Sequence, residues 1–412
     1  MIFFLAAALT FHSDFEGGAL ARVERVGETH YRCGVPGQSD QDNRNRQANW
    51  YYFRVDGAAG RTITLDLVNL LGEYNYRAGT HAVTERTRPL ISTDQRTWTH
   101  LPETAVQWLA AEPALRLTIE AKGNRFWIAH QVPYTNSTLF ALAKEFAKHP
   151  ALRTETIGKS IENRSLYLWT IHEASTPQPL PAQPARAAER TRAAEPRRPA
   201  VWLMFRQHSW ESGSSFVGEG LVRWLLSNSP QAQAARRGFI WKILPAADPD
   251  GLSHGGVRFN RKGYDLNRNW DRILPDQTPE IAAQQRALYS WLDSGNTVDL
   301  FLSLHNTESS EYLEGPPLPL GERWFELLKN GATFHPSRPN YTVMPSTTTE
   351  GKPGRMTVAQ GLWHERKIPA FLMEQRVEFN AKLGRYPVTE DRTRFGAELA
   401  QSIVKLLAEP RP

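Results

Sequence analysis

The sequence predicts an N-terminal antiparallel β-sandwich followed by an α/β domain with a mixed, mostly parallel central sheet. Three observations carry this reading. Residues 10–132 hold short period-two runs broken by turn residues, with no helical periodicity. From residue 133 onward, apolar strands alternate with amphipathic helices. Those strands are near-continuous hydrophobic runs, as expected when both faces of a sheet are covered.

In the first part, 50–55 (WYYFRV) ends at Asp56-Gly57, and 62–67 (TITLDL) alternates strictly. The runs 116–120 (RLTIE) and 125–129 (RFWIA) are separated by 121–124, which reads as a hairpin join. In the second part, 133–408, residues 138–148 read as an amphipathic helix and 166–171 (LYLWTI) as a strand. Residues 174–198 are rich in Pro, Ala and Arg and cannot pack a core. They read as a surface insertion, because 166–171 and 201–205 (VWLMF) look like neighbours in one sheet. Then come helix 217–226, strand 239–244, helix 279–292, strands 299–304 and 370–373, and a last helix, 391–407.

Composition narrows the function classes. With 412 residues, 40% of them hydrophobic, and 13 Trp, the chain has ample apolar surface for large cores, which excludes general disorder. The net charge is +6, but the basic residues are scattered, with no Lys/Arg stripe interleaved with aromatics, so nucleic acid is not an expected partner. Cys33 is the only cysteine, which excludes an intramolecular disulfide and a cysteine-rich zinc site. Any metal is therefore held by His and carboxylates. The apolar stretch 2–11 is too short to span a bilayer, so no stable membrane span is expected. It has the length of a signal-peptide apolar region, yet no Lys or Arg precedes it and no clean cleavage site follows. Export to the periplasm or medium and a buried first strand of a cytoplasmic protein both stay open. No motif speaks to oligomeric state.

The chemistry-bearing residues follow the apolar strands. Strand 201–205 runs into Arg206-Gln207-His208-Ser209-Trp210-Glu211, and strand 299–304 into His305-Asn306-Thr307. Two imidazoles and one carboxylate, with a fourth position left to water, form a recognised catalytic zinc set. In open α/β sheets ligands bind beyond the carboxyl ends of the strands. Between these elements lies PAADPDGLSHGGVRFNRKGYDLNRNW, with a tight turn at Asp248-Pro249-Asp250-Gly251, then Arg258, then Asn267-Arg268. A further acid, Glu374, closes the apolar run 371–373. Glu378 lies nearby, but the run stops directly before Glu374.

Taken together, these segments resemble the M14 zinc carboxypeptidases. The cytosolic-carboxypeptidase branch is the nearest in kind, since it places a small β-sandwich before the catalytic domain. The resemblance implies one Zn2+ per chain on His208, Glu211 and His305, and peptide or protein C-termini as substrate. It implies that Arg258 polarises the scissile carbonyl, that Asn267 and Arg268 grip the terminal carboxylate, and that Glu374 is the general base. Two departures are visible. Ser209-Trp210 stands where the family often has Pro-Gly, and the nearest tyrosine upstream of Glu374 is the distant Tyr341, so no substrate-capping tyrosine is assigned. Lys352 or Arg355, in 350–355 (EGKPGR), would suit an acidic terminal side chain. Two other readings use the same scaffold: a zinc amidohydrolase of small N-acyl amino acids, and a catalytically inactive binding protein.

Overall fold

A computed structural model of the chain describes residues 8–173, 197–349, 351–352 and 354–408. The first part contains β1 (Thr10–His12), β2 (Val23–Arg25), β3 (His30–Gly34), β4 (Tyr52–Asp56), β5 (Thr62–Val68), β6 (Gly72–Tyr74), β7 (Arg77–Thr80), β8 (Leu90–Ser92), β9 (Thr99–His100), β10 (Val106–Leu109), β11 (Ala114–Glu120) and β12 (Arg125–Ala129). Two five-stranded sheets, ordered β1-β4-β12-β8-β9 and β10-β11-β5-β3-β2, face each other. Their pairings are antiparallel except for β3 with β5. Alternating residues such as Phe53, Val55, Ile63, Leu65, Leu67, Leu115 and Leu117 point between the sheets and form one core. Hairpin β6–β7 belongs to neither sheet.

β11 and β12 do not form the expected hairpin: β11 pairs with β5 and β10, and β12 with β4 and β8. Residues 121–124 carry the chain from one sheet to the other, and each strand turns its own apolar face to the shared core. Alternation reports the buried face, and it is the same for either pairing.

The second part runs α1 (Asn136–Phe146), β13 (Leu152–Lys159), β14 (Ser165–Ile171), β15 (Ala200–Phe205), α2 (Ser212–Leu225), α3 (Pro230–Gly238), β16 (Ile240–Leu244), α4 (Pro249–His254), α5 (Pro279–Asp293), β17 (Leu300–Thr307), β18 (Tyr312–Gly315), α6 (Pro319–Lys329), β19 (Thr342–Val343), α7 (Val358–Arg366), β20 (Ala370–Arg376) and α8 (Thr389–Ala408). Its strands form one sheet, ordered β13-β14-β16-β15-β17-β20-β18-β19. The central pairings β16–β15, β15–β17 and β17–β20 are parallel, and antiparallel strands lie toward the edges. The sheet is thus mixed and mostly parallel, with a hydrophobic core on each face. β14 and β15 share this sheet, but β16 lies between them. Residues 174–196 of the expected insertion lie outside the described residues, as do residues 2–7 of the apolar N-terminal stretch. Arg197 and Arg198, at the insertion's end, are anchored: Arg197 forks onto Asp299, at 2.9 and 3.0 Å, and Arg198 donates to Glu173 O. Among the described residues no helix is long and apolar enough to cross a membrane.

The turn expected at Asp248–Gly251 is the start of α4. Asp248 is the N-cap, and its Oδ1 accepts from Gly251 N at 2.9 Å. Burial, with the charges of Glu280 and Asp250, pushes the Asp248 carboxyl up to about 7, against the pull of the Gly251 amide and Arg206. The unfolded carboxyl titrates near ~4. Stability from this residue is therefore full below about pH 4 and declines until pH passes the folded value, because only the unfolded chain gives up the proton in that window. Asp248→Asn keeps an acceptor for Gly251 and removes the titration. Its Tm relative to wild type is expected to rise between about pH 4 and pH 8; a pH-independent difference in thermal unfolding would contradict this.

Candidate active site

The site sits where the central parallel strands end. β15 stops at Phe205, and Arg206 takes a left-handed conformation, φ 61°, that turns the chain sharply. The buried Arg206 guanidinium then braces the next loop, donating twice to Ser209 O, at 2.6 and 3.0 Å, and to Tyr134 O and Ser215 Oγ. This turn brings His208 and Glu211 over the end of β17. His305 lies inside β17, six residues into the strand, and pairs in register with Glu374 of β20.

His208, Glu211 and His305 are all buried, and one ligand atom from each lies within 4.8 Å of the others. His208 Nδ1 is 2.7 Å from Glu211 Oε1, His305 Nδ1 is 2.9 Å from Glu211 Oε2, and the two Nδ1 atoms are 3.2 Å apart. The remaining ring nitrogens are engaged elsewhere. His208 Nε2 meets Asp265 Oδ1 at 3.1 Å, and His305 Nε2 meets Gln207 Oε1 at 3.1 Å and Ser303 Oγ at 2.8 Å. Ser303 donates its own proton to Gln207 Oε1 at 2.8 Å. These acceptors hold the ring protons on Nε2, so both Nδ1 lone pairs face Glu211 and each other. Three electron-rich atoms aimed at one buried point suit a cation. Tetrahedral zinc with bonds of about 2.0–2.1 Å would set its ligand atoms roughly 3.3 Å apart. The residues present therefore fit a single zinc ion.

The charges around the site reinforce one another. Burial raises the Glu211 carboxyl, but the two imidazoles outweigh it and hold the group well below the usual range. Burial and Arg258 push His208 down, yet Glu211 and Asp265 outweigh them and raise it. At His305 burial wins, and its value falls. Asp265 also opposes burial successfully, held low by Arg258, Arg268 and His208.

Asp265 ties the centre together. One carboxylate oxygen holds His208, and the other accepts from Arg258 Nε at 2.8 Å, with Arg268 Nη1 at 3.9 Å. Sequence reading passed over this acid, although its place in Asp265-Leu266-Asn267-Arg268 was visible. Gln207 and Arg206 were missed too, because their roles depend on the left-handed turn. Glu374 Oε2 is covered and has no hydrogen-bond partner among the described residues, and burial with the charge of Glu211 pushes this carboxyl well up. Glu378 lies apart, accepting from Thr84 Oγ1 at 3.4 Å.

Arg258, Glu211, Glu374 and Tyr312 line a cleft of about 360 Å³ between the two parts of the chain. Its opposite wall comes from the sandwich: Arg46, Asn49, Tyr74 and His81. Asn267 is buried, with Oδ1 accepting from Val358 N at 2.9 Å and Nδ2 3.5 Å from His305 Nε2. Arg268 donates to Asn267 O, while its Nε, like Arg355 Nε, is buried without a partner among the described residues. Burial lowers Arg355, and the nearby charge of Arg268 lowers it further. Lys352 is exposed, its Nζ 5.0 Å from the Tyr76 ring centroid. Tyr341 is remote: its hydroxyl donates to Pro316 O at 2.8 Å, and its ring packs near Phe371.

An α/β sheet carrying two histidines and one glutamate at its carboxyl edge, with outer hydrogen-bond partners in place, defines a protein with a mononuclear, catalytic-type zinc site. Comparison with known proteins narrows the class. Residues 11–130 match the cytosolic carboxypeptidase N-terminal domain, and residues 139–313 match the zinc carboxypeptidase family. Cytosolic carboxypeptidase 2 from Danio rerio is 28% identical over 294 residues, 66% of this chain and 37% of that protein. Cytosolic carboxypeptidase 2 from Homo sapiens is 29% identical over 302 residues, 66% of this chain and 30% of that protein. The chain thus spans about a third of the length of these relatives. Among solved structures, a metallo-carboxypeptidase from Burkholderia cenocepacia superposes with a TM-score of 0.79 at 20% identity, covering 97% of this chain and 99% of that one. The metallo-carboxypeptidase from Pseudomonas aeruginosa, in complex with (2-guanidinoethylmercapto)succinic acid, gives 0.78 at 20% identity, covering 98% and 100%. Residues 139–313 thus carry an M14 zinc carboxypeptidase domain, preceded at 11–130 by the N-terminal domain of the cytosolic carboxypeptidases.

If Asp265 fixes the ring and tautomer of His208, Asp265→Asn is expected to weaken zinc binding by about 10–100-fold. Competition against a chromophoric chelator measures this directly. An unchanged affinity would remove Asp265 from the support of the centre.

Proposed function

We propose that this protein is a zinc-dependent carboxypeptidase that hydrolyses the last peptide bond of peptides or proteins. The observation that carries the reading is the convergence of His208, Glu211 and His305 beside an unpartnered Glu374, at one edge of a cleft with Arg258 in its wall. His208, Glu211 and His305 would hold a zinc ion, which would supply Lewis acidity toward water and a carbonyl.

The chain's own residues do the rest. Glu374, paired in register with His305, takes the proton from the attacking water and passes it to the departing amine. Arg258, fixed through Nε to Asp265, directs its Nη groups at the developing oxyanion. Arg268, whose Nε is unpartnered, receives the substrate's terminal carboxylate through the planar fork that carboxylates match. Asn267 contributes to that grip or to the packing behind His305.

For the terminal side chain, the unpartnered Arg355 Nε beside Arg268, with Lys352 further out, supports a C-terminal Glu or Asp. A second reading rests on Glu314. This residue pairs in register with Leu372, two residues before Glu374, so it shares Glu374's face of the sheet. Burial raises its carboxyl, and Arg338 and Arg268 draw it back. A basic terminal side chain would pair with it.

Glu374→Gln is expected to keep its zinc while kcat falls by about 10²–10⁴-fold. Unchanged turnover in the zinc-loaded variant would remove Glu374 from the mechanism. A panel of peptides differing only in the last residue is expected to give the highest kcat/KM for Glu or Asp. A clear preference for Lys or Arg would transfer specificity to Glu314, and a preference for Leu would remove both.

A further inference from the structure

We infer that the β-sandwich positions the catalytic arginine: Gln38 holds Arg258 by its backbone and Tyr74 holds its guanidinium over a ring. Resting on the reading of Arg258 as the carbonyl-polarising group, this gives the accessory sandwich a part in the chemistry. Gln38 and Tyr74 are positioning residues, since each acts through Arg258.

Gln38 Oε1 accepts from three consecutive amides, Val257 N at 2.9 Å, Arg258 N at 2.6 Å and Phe259 N at 2.9 Å. Its Nε2 donates back to Phe259 O at 2.6 Å. Only this orientation of the side-chain amide satisfies all four groups. Successive amides curled about one oxygen form a nest, which an acceptor at its centre holds together. Gln38 is itself fixed by a reciprocal backbone pair with Gln47, at 2.8 and 2.9 Å. Close by, Gln41 N donates to Gly263 O at 3.1 Å. Val257 is buried in a cluster with Trp50, Tyr52 and Trp127 of the sandwich and Trp210 of the metal loop. The backbone on either side of the Arg258 side chain is therefore docked on the first part of the chain.

Tyr74 supplies the second hold. It ends β6 in the hairpin that joins neither sandwich sheet, it is 40% exposed, and its ring centroid lies 5.3 Å from Arg258 Cζ. The hairpin turn uses Asn75 and Tyr76 at positive φ, 46° and 64°, and is pinned by Asn45 Oδ1 accepting from Tyr76 N at 2.7 Å. Arg44 also donates to Glu73 Oε1 at 2.7 Å. Among the described residues, the Arg258 guanidinium makes one hydrogen bond, Nε to Asp265. With Nε on Asp265 and Cζ over the Tyr74 ring, the two Nη nitrogens are left to the cleft that Arg258 shares with Glu211 and Glu374.

The test uses Gln38→Ala, Tyr74→Leu and Tyr74→Phe in the full-length zinc-loaded protein, each also combined with Arg258→Ala. Gln38→Ala and Tyr74→Leu are expected to keep their zinc and lose about 10–100-fold in kcat/KM, chiefly in kcat. Tyr74→Phe, which keeps the ring, is expected to recover activity to within about threefold of wild type. In the Arg258→Ala background neither loss should exceed about twofold, because the group being positioned is gone. Losses of equal size with and without Arg258 would overturn the proposal, and a loss in Tyr74→Phe as large as in Tyr74→Leu would overturn the stacking. Hydrogen exchange provides a readout that needs no activity: the amides of Val257, Arg258 and Phe259 are expected to exchange at least about tenfold faster in Gln38→Ala. Unchanged exchange overturns the clamp. A wild type that holds zinc and hydrolyses no peptide overturns the functional reading instead, and exchange still decides the clamp.

Discussion

Two imidazole nitrogens and a carboxylate, all buried, are pressed against one point with their lone pairs turned inward. Such a cluster is costly without a positive charge at its centre, because burial penalises the carboxylate and the lone pairs repel one another. Much of the surrounding structure serves this arrangement. Asp265 and Gln207 hold the outer ring nitrogens, Arg206 bends the chain out of β15, and parallel strands β15 and β17 place the two ligand-bearing segments side by side. The pairing of β17 with β20 then puts Glu374 next to His305 with no further device.

The sandwich is bound into this centre. Trp210, between the two ligands of the first metal segment, packs with Trp50, Tyr52 and Trp127, and its carbonyl accepts from Gln131 Nε2 at 2.9 Å. Asn49 donates to Glu308, three residues after His305, at 3.1 Å. Burial, with the charges of Glu211 and Glu378, pushes the Glu308 carboxyl up to about 7 against the hydrogen bond from Asn49. The position where the family often has Pro-Gly thus carries an interface anchor in this chain, and metal loop, arginine loop and sandwich share one packed seam.

The order of elements and the metal ligands were legible because both are local. His208-x-x-Glu211 and His305 stand directly after or within apolar runs, and the runs themselves announce strands buried on both faces. What failed either lay exposed or depended on partners distant in sequence. β13 was missed because Leu152–Lys159 is a largely exposed edge strand without alternation. The separate sheets of β11 and β12 were hidden because burial periodicity does not name a neighbour. Strand ends also shifted: β17 and β20 continue through His305 and Glu374, where polar side chains replace the apolar run but the backbone keeps pairing. Gln38 and Tyr74 gave no signal at all, since their partner lies about two hundred positions away.

Everything said of the reaction depends on a divalent ion at the shared point of His208, Glu211 and His305. The most direct measurement is the metal content of the full-length protein, purified without chelator and analysed by mass spectrometry of its elements. One zinc per chain is expected, lost on His305→Ala while the folded sheet persists. A correctly folded protein that takes up no zinc when offered it, or that binds zinc equally well without His305, would contradict it.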